Sequence, residues 1–212
     1  MRNRTLIATA ALALTATAVL AGCTTDAAPT ETETPAASAT PSPTPTPTTD
    51  LSIAAVSEEE AIAAGTQLID QFYEAWGKVV ADPSEEAARE FMSGVTFDKQ
   101  LSDLETAAKN METADFSIDG TDVFIPDEGA TDLSSWPEGE PITSFELFGC
   151  LDQSGVTATD GDGTVTEGSA EPSRVSFFIL YVSAADADLV PDPERYYILN
   201  YDSTSEEGTC GA

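Results

Sequence analysis

The chain contains no histidine, and its 212 residues carry only 8 Lys and Arg against 38 Asp and Glu, with three cysteines and 8% aromatic residues. Without histidine the commonest general base is missing, and with it the Ser-His-Asp arrangement and most transition-metal sites. No cysteine pair has zinc-ligand spacing, and no glycine-rich phosphate loop follows a strand, so neither a metal nor a cofactor is expected. A net charge of −30 repels nucleic acid and bare anionic lipid, and neither is an expected partner. The acids are scattered rather than blocked, as on a solvated surface adapted to solubility or to salt; a cationic partner or loosely held divalent ions are the alternatives.

Long apolar runs are also scarce. The one candidate, Leu6 to Leu20, holds only Ala, Leu, Thr, Ile and Val. At about 15 residues it falls short of the roughly 20 that a helix needs to cross the hydrocarbon core. Preceded by Arg2 and Arg4, it has the layout of a signal peptide over residues 1–22. Leu20-Ala21-Gly22-Cys23 then resembles the lipobox of bacterial lipoproteins. The resemblance implies cleavage before Cys23 and a diacylglycerol thioether on its sulfur, whose acyl chains contribute roughly 0.8 kcal/mol per buried methylene. Ordinary secretion, leaving Cys23 a free thiol, is the alternative. Lipidation would place the chain on the outer face of the bacterial cytoplasmic membrane and leave an even pair, Cys150 and Cys210, in an oxidising compartment. Residues 1–22 contain Arg2 and Arg4 and no acid, so their removal takes the net charge from −30 to −32.

Residues 23–55 read as a disordered tether. From Thr24 to about Ser52 there is no aromatic side chain, and the stretch ends in Pro41-Ser42-Pro43-Thr44-Pro45-Thr46-Pro47. Too little apolar surface is present to offset chain entropy, and alternating proline favours extended polyproline II. Between a flexible coil and a stiff polyproline rod, such a spacer reaches roughly 30 to 90 Å. A plain solvated spacer and an O-glycosylated stalk both fit this composition.

Residues 56–212 suffice for one domain with one core. Ser57-Glu58-Glu59-Glu60 has the form of a capping box, and Ile62, Gly65, Ile69, Phe72, Tyr73, Trp76 and Val80 recur at helical spacing as far as Ala81. Asp82-Pro83-Ser84-Glu85 predicts a second helix with Asp82 as N-cap and Pro83 at the first position; Ala87, Ala88, Phe91 and Met92 form its buried side, and Gly94 closes it. A third helical pattern follows Thr96 through Phe97, Leu101, Leu104, Ala108 and Met111. After Ala114 the period becomes two. Phe116 to Ile118 and Val123 to Ile125 flank a turn or bulge at Asp119-Gly120, and a loop is predicted from Asp127 to Pro141. Strands are predicted at Ile142 to Leu151, Ser173 to Ser183 and Arg195 to Ser203, with a tight hairpin at Asp160-Gly161-Asp162-Gly163 and a turn at Pro191-Asp192-Pro193. Helices first and antiparallel strands afterwards argue for an α+β domain, its three helices packed on one face of a sheet.

The order Cys150-Leu151-Asp152-Gln153-Ser154, then Asp160 to Gly163, two aromatic strands and a terminal Cys210 resembles small secreted proteins and lipoproteins of high-GC Gram-positive bacteria. Those proteins are assigned to the NTF2-like, cystatin-like superfamily, in which a curved sheet wraps a long first helix. Tyr197 departs from the pattern, standing where the last strand is expected to show Trp. The resemblance implies a disulfide between Cys150 and Cys210. It also implies a concave sheet face closed by the first helix, where members such as ketosteroid isomerases use a Tyr donor and a carboxylate.

Phe72, Tyr73 and Trp76 on the first helix, with Phe178, Leu180, Tyr197 and Leu199 alternating on strands, are the candidates for that pocket, or equally for a filled core. Asp70 lies about 60° around the helix from Tyr73 and reads as solvated. Asp160 to Thr164, with Glu171 at the twelfth position, superficially suggests a calcium loop; Val165 occupies the place of the required glycine, which favours a hairpin turn. Two functions remain open. One is a non-catalytic, lipid-anchored domain that binds a partner protein in the cell envelope. The other is a binder of small hydrophobic molecules or an isomerase-like enzyme with an open pocket.

Overall fold

A computed structural model of the chain describes residues 49–127, 131, 133, 136–203 and 210. The leader, Cys23 and the tether as far as residue 48 lie outside them.

The first helix, α1 (Glu58–Ala81), starts and stops where the sequence places it. Ser57 Oγ accepts the Glu60 N–H at 3.2 Å, while the Glu60 carboxylate reaches back to the Val56 N–H at 2.9 Å, one residue earlier than a capping box requires. Helix α2 (Glu85–Met92) differs from expectation. Its N-cap is Ser84, whose Oγ accepts the Ala87 N–H at 3.0 Å, and Asp82 instead ends α1. With that shift the two-turn helix turns Ala88 and Met92 inward and leaves Phe91 exposed. Helix α3 (Asp98–Ala114) begins after Phe97, buries Leu104 and Ala108, and ends at Asp115 in the left-handed region with φ 51°.

Seven strands follow: β1 (Ser117–Asp119), β2 (Val123–Pro126), β3 (Ser144–Asp152), β4 (Thr157–Thr159), β5 (Val165–Glu167), β6 (Ser173–Val182) and β7 (Arg195–Ser203). The α+β architecture of helices followed by antiparallel strands holds, but the strands divide into two sheets, ordered β2-β3-β6-β7 and β1-β4-β5. β1 and β2 therefore do not form a hairpin across Asp119-Gly120; the chain crosses there from the small sheet to the large one. Asp160–Gly163 does make the β4–β5 turn. The Asp160 carboxylate accepts the N–H groups of Asp162 and Thr164 at 3.1 and 2.9 Å, and Gly163 supplies a φ of 80°.

α1 lies against β1, β2, β3 and β7. Its buried stripe, including Leu68, Ile69, Phe72 and Val79, meets Leu147, Phe177, Ile179, Tyr196 and Ile198 in one core. Gly65 permits the closest approach: a Cβ there would stand 2.8 Å from the Leu147 side chain. The reverse side of the β6–β7 end carries a second cluster of Phe97, Val182, Val190 and Tyr197.

The ordered fold also begins earlier than the tether boundary at residue 55. Leu51 and Ala55 are buried, the Gln67 side chain exchanges two hydrogen bonds with the Thr49 backbone at 2.5 and 2.7 Å, and the Leu51 carbonyl accepts the Tyr196 N–H at 3.1 Å. Leu51 and Ala55 together with these hydrogen bonds dock the stretch.

Candidate functional site

Of the five residues proposed for a pocket or core, α1 brings three together. Phe72 and Tyr73 are buried and pack edge-on against each other at 5.4 Å and against Phe177 at 6.2 Å each. Phe124 at 5.5 Å and Tyr201 at 5.8 Å complete a set of rings around Phe177. These aromatics fill the space between α1 and the four-stranded sheet. Trp76, one turn further along, is half-buried at the edge of this packing.

Phe178 and Tyr197 are not part of it. Phe178 is 37% exposed and faces away from α1; Tyr197 is fully buried in the second cluster, edge-on to Phe97 at 5.7 Å, with its hydroxyl donating to the Asp192 carbonyl at 2.6 Å. The alternating set Phe178, Leu180, Tyr197 and Leu199 is thus the sheet's other side. Phe177 and Ile179 face α1, so their β6 neighbours Phe178 and Leu180 face away, and Tyr197, paired with Leu180, faces away with them; a register shift between Phe178 and Ile179 acts further along, where Phe177 pairs with Tyr201 but Ile179 pairs with Ile198. One extra residue on β7 lets Tyr196, Ile198 and Tyr201 all face α1, which strict alternation forbids.

A groove of about 600 Å³ opens to solvent at the edge of the packed rings, between α1 and the β1–β2 connection. Asp70, Tyr73, Glu74 and Gly77 form its helical wall, and Asp122 and Val123 the opposite one. A recess of about 60 Å³ continues beneath it to Trp76, Ile118 and Gln153. Local chain geometry sets the second wall. Gly120 holds a φ of 100°, and a Cβ there would stand 2.2 Å from the Gly155 carbonyl oxygen, so only glycine lets this turn close on the β3–β4 connection. That contact brings Asp122 beside Gln153, whose Nε2 donates to the carboxylate at 3.2 Å.

The groove is electrostatically unbalanced. Burial pushes the Asp122 carboxyl up, against the opposing Gln153 hydrogen bond, and burial alone pushes Asp70 up. The Tyr73 hydroxyl is pushed well above its ordinary value by burial first, then by the Asp122 and Tyr201 charges. It makes no hydrogen bond to another described residue. Lys78, the single cation on these walls among the described residues, is committed to Glu74 at 2.9 Å. Sequence reasoning found Tyr73 but not Asp122 or Gln153. They reach it through the Gly120 turn, which the sequence marks only as a turn.

A second groove, of about 590 Å³, is lined by Thr49, Gln67, Gln71 and Arg195 among others. It is polar: Gln67 is engaged with Thr49, and Arg195 donates to Gln71 at 3.4 Å and lies over the Tyr197 ring at 5.5 Å, while its Nε is buried without a partner among the described residues. Cys150 and Cys210 are disulfide-bonded, with Cα atoms 5.6 Å apart. Cys23, the proposed lipidation residue, lies outside the described residues. No helix among the described residues is long and apolar enough to cross a membrane.

No protein-family model matches the chain, and no curated protein matches it.

Proposed function

We propose that this chain is a lipid-anchored extracytoplasmic domain that acts by binding a partner in the cell envelope rather than by catalysis. The observation that carries the non-catalytic half is the interior: Phe72, Tyr73, Phe124 and Phe177 occupy the space where an isomerase-like enzyme of this architecture would need an enclosed cavity. The missing histidine points the same way. The anchoring half is supported by Leu20-Ala21-Gly22-Cys23 behind its apolar leader and by the proline-rich spacer that follows. A long first helix laid across antiparallel strands, with Cys150 joined to Cys210, keeps the NTF2-like likeness as part of this reading.

Intact-mass measurement of natively produced protein tests the anchor. The expected product begins at Cys23 and carries a diacylglyceryl group; Cys23→Ala releases the domain into the medium. An uncut leader, or a free thiol at Cys23, overturns it. Crosslinking on intact cells tests the second half, and a surface-exposed domain with no crosslinked envelope protein counts against it.

A further inference from the structure

We propose that the groove between α1 and the β1–β2 connection is a binding site for a small organic cation, a protonated amine on an apolar body, held by Asp122 and Asp70 against Tyr73. The proposal is independent of the lipid anchor.

Charge, shape and an unused hydrogen-bonding group each bear on it. Asp70, Glu74 and Asp122 line the groove, and Lys78 neutralises only Glu74. Two carboxylates thus remain without a cationic partner among the described residues, and at Asp122, the less exposed of them, partial desolvation makes a counter-charge worth more than in bulk water. The Tyr73 side chain is more than nine-tenths buried, yet it lines both the groove and the recess beneath, and its hydroxyl is left without a partner among the described residues. A hydroxyl, unlike Lys or Arg, accepts a hydrogen bond from an ammonium as readily as it donates one.

The body of the ligand is set by the remaining walls. Val123 is 54% exposed and Ala81 lies beside it; the Tyr73 ring and, through the recess, Trp76 offer aromatic surface suited to a cation. A bare metal ion is a poor occupant, because among the described residues no three acidic or cysteine side chains converge closely enough to hold one. Gly77 leaves room: a Cβ built there meets nothing within 4 Å. The surrounding net charge of −30 concentrates cations near the molecule in any case. The test must therefore separate this groove from diffuse attraction.

Calorimetric titration of the purified full chain with phenethylammonium chloride makes that separation, with uncharged 2-phenylethanol as the matched probe and the Trp76 indole NMR signal reporting location. Saturable binding of the ammonium is expected, at least about ten-fold tighter than the alcohol, with the Trp76 signal moving as the site fills. Asp122→Asn should weaken it about ten-fold. Gly77→Leu, which fills open space and leaves the fold intact as judged by an unchanged or raised Tm, should abolish it; Glu90→Gln, an acid on α2 away from the groove, should leave it unchanged. Equal affinity for the two probes, binding that survives Gly77→Leu, an equal loss in Glu90→Gln, or no saturable binding overturns the proposal.

Discussion

The Tyr196 hydroxyl, on the last strand, accepts the N–H of Ala55, 141 residues earlier in the chain, at 2.9 Å. The same hydroxyl donates to the Ile142 carbonyl at 2.5 Å, and Ile142 N–H in turn donates to the Ala55 carbonyl at 2.7 Å. One fully buried side chain therefore closes a ring of hydrogen bonds joining the entry to α1, the entry to β3 and the middle of the core. Tyr196→Phe keeps the ring's packing and removes only the oxygen, leaving a buried N–H and a carbonyl short of a partner. Destabilisation of about 1–3 kcal/mol is expected in urea unfolding, with selectively faster amide exchange at Ala55.

Two glycines of α1 should respond to alanine with opposite signs. Gly65→Ala places a methyl 2.8 Å from Leu147 and 3.0 Å from Ile179 and Phe145. Overpacking of about 1–3 kcal/mol outweighs the roughly 0.5–1 kcal/mol that alanine contributes to a helix. Gly77→Ala meets nothing within 4 Å and should stabilise by about 0.5–1 kcal/mol. Melting curves of the two variants check the sign directly.

The Cys150–Cys210 bond closes a loop with a sequence separation of 60. On the chain-entropy account it stabilises by about 4 kcal/mol, so Cys210→Ser should lower Tm substantially. Adding a reductant should lower the wild type to the same value and leave the variant unmoved.

Asp122 should make stability depend on pH in the unusual direction for a carboxylate. Burial raises its folded-state pKa above the 3.8 of a free side chain. Below that value both states are protonated and the group contributes nothing. As pH rises toward the folded pKa, the unfolded chain ionises first and stability is lost. Asp122→Asn keeps an acceptor for Gln153, so at pH 7 it should be more stable than wild type, the difference closing as pH falls below about 3.8. Asp70, facing the same groove from α1, is shifted in the same direction by burial; Glu74 and Lys78, 2.9 Å apart, also face it. A difference independent of pH would rule this account out.

Where local signals agreed, the fold was legible in the sequence. Ser57 and the three acids after it start α1 on the expected residue, β7 has the predicted limits of Arg195 and Ser203, and Asp160–Gly163 is the turn its composition announces. Errors came from residues whose placement depends on distant neighbours. Ser84 and Asp82 are equally good caps locally, and nothing in the short window tells them apart; the helix takes Ser84. Phe178 and Tyr197 belong to one face, as period two groups them, but alternation alone does not say which of two apolar faces meets α1. Asp122 reached the groove only because Gly120 can approach Gly155, a contact between segments 35 residues apart in the sequence that no short window contains.

The docked segment from Thr49 to Ala55 gives the domain a defined response to being pulled by its amino end. Load arriving at residue 49 meets the paired bonds to Gln67 first, then the seat of Leu51, and only afterwards the Ala55–Tyr196 linkage. Fasteners met one at a time give way in sequence, at lower force than fasteners strained together. Pulled from residue 49, the strap is therefore expected to peel away bond by bond before β7 is drawn from the sheet.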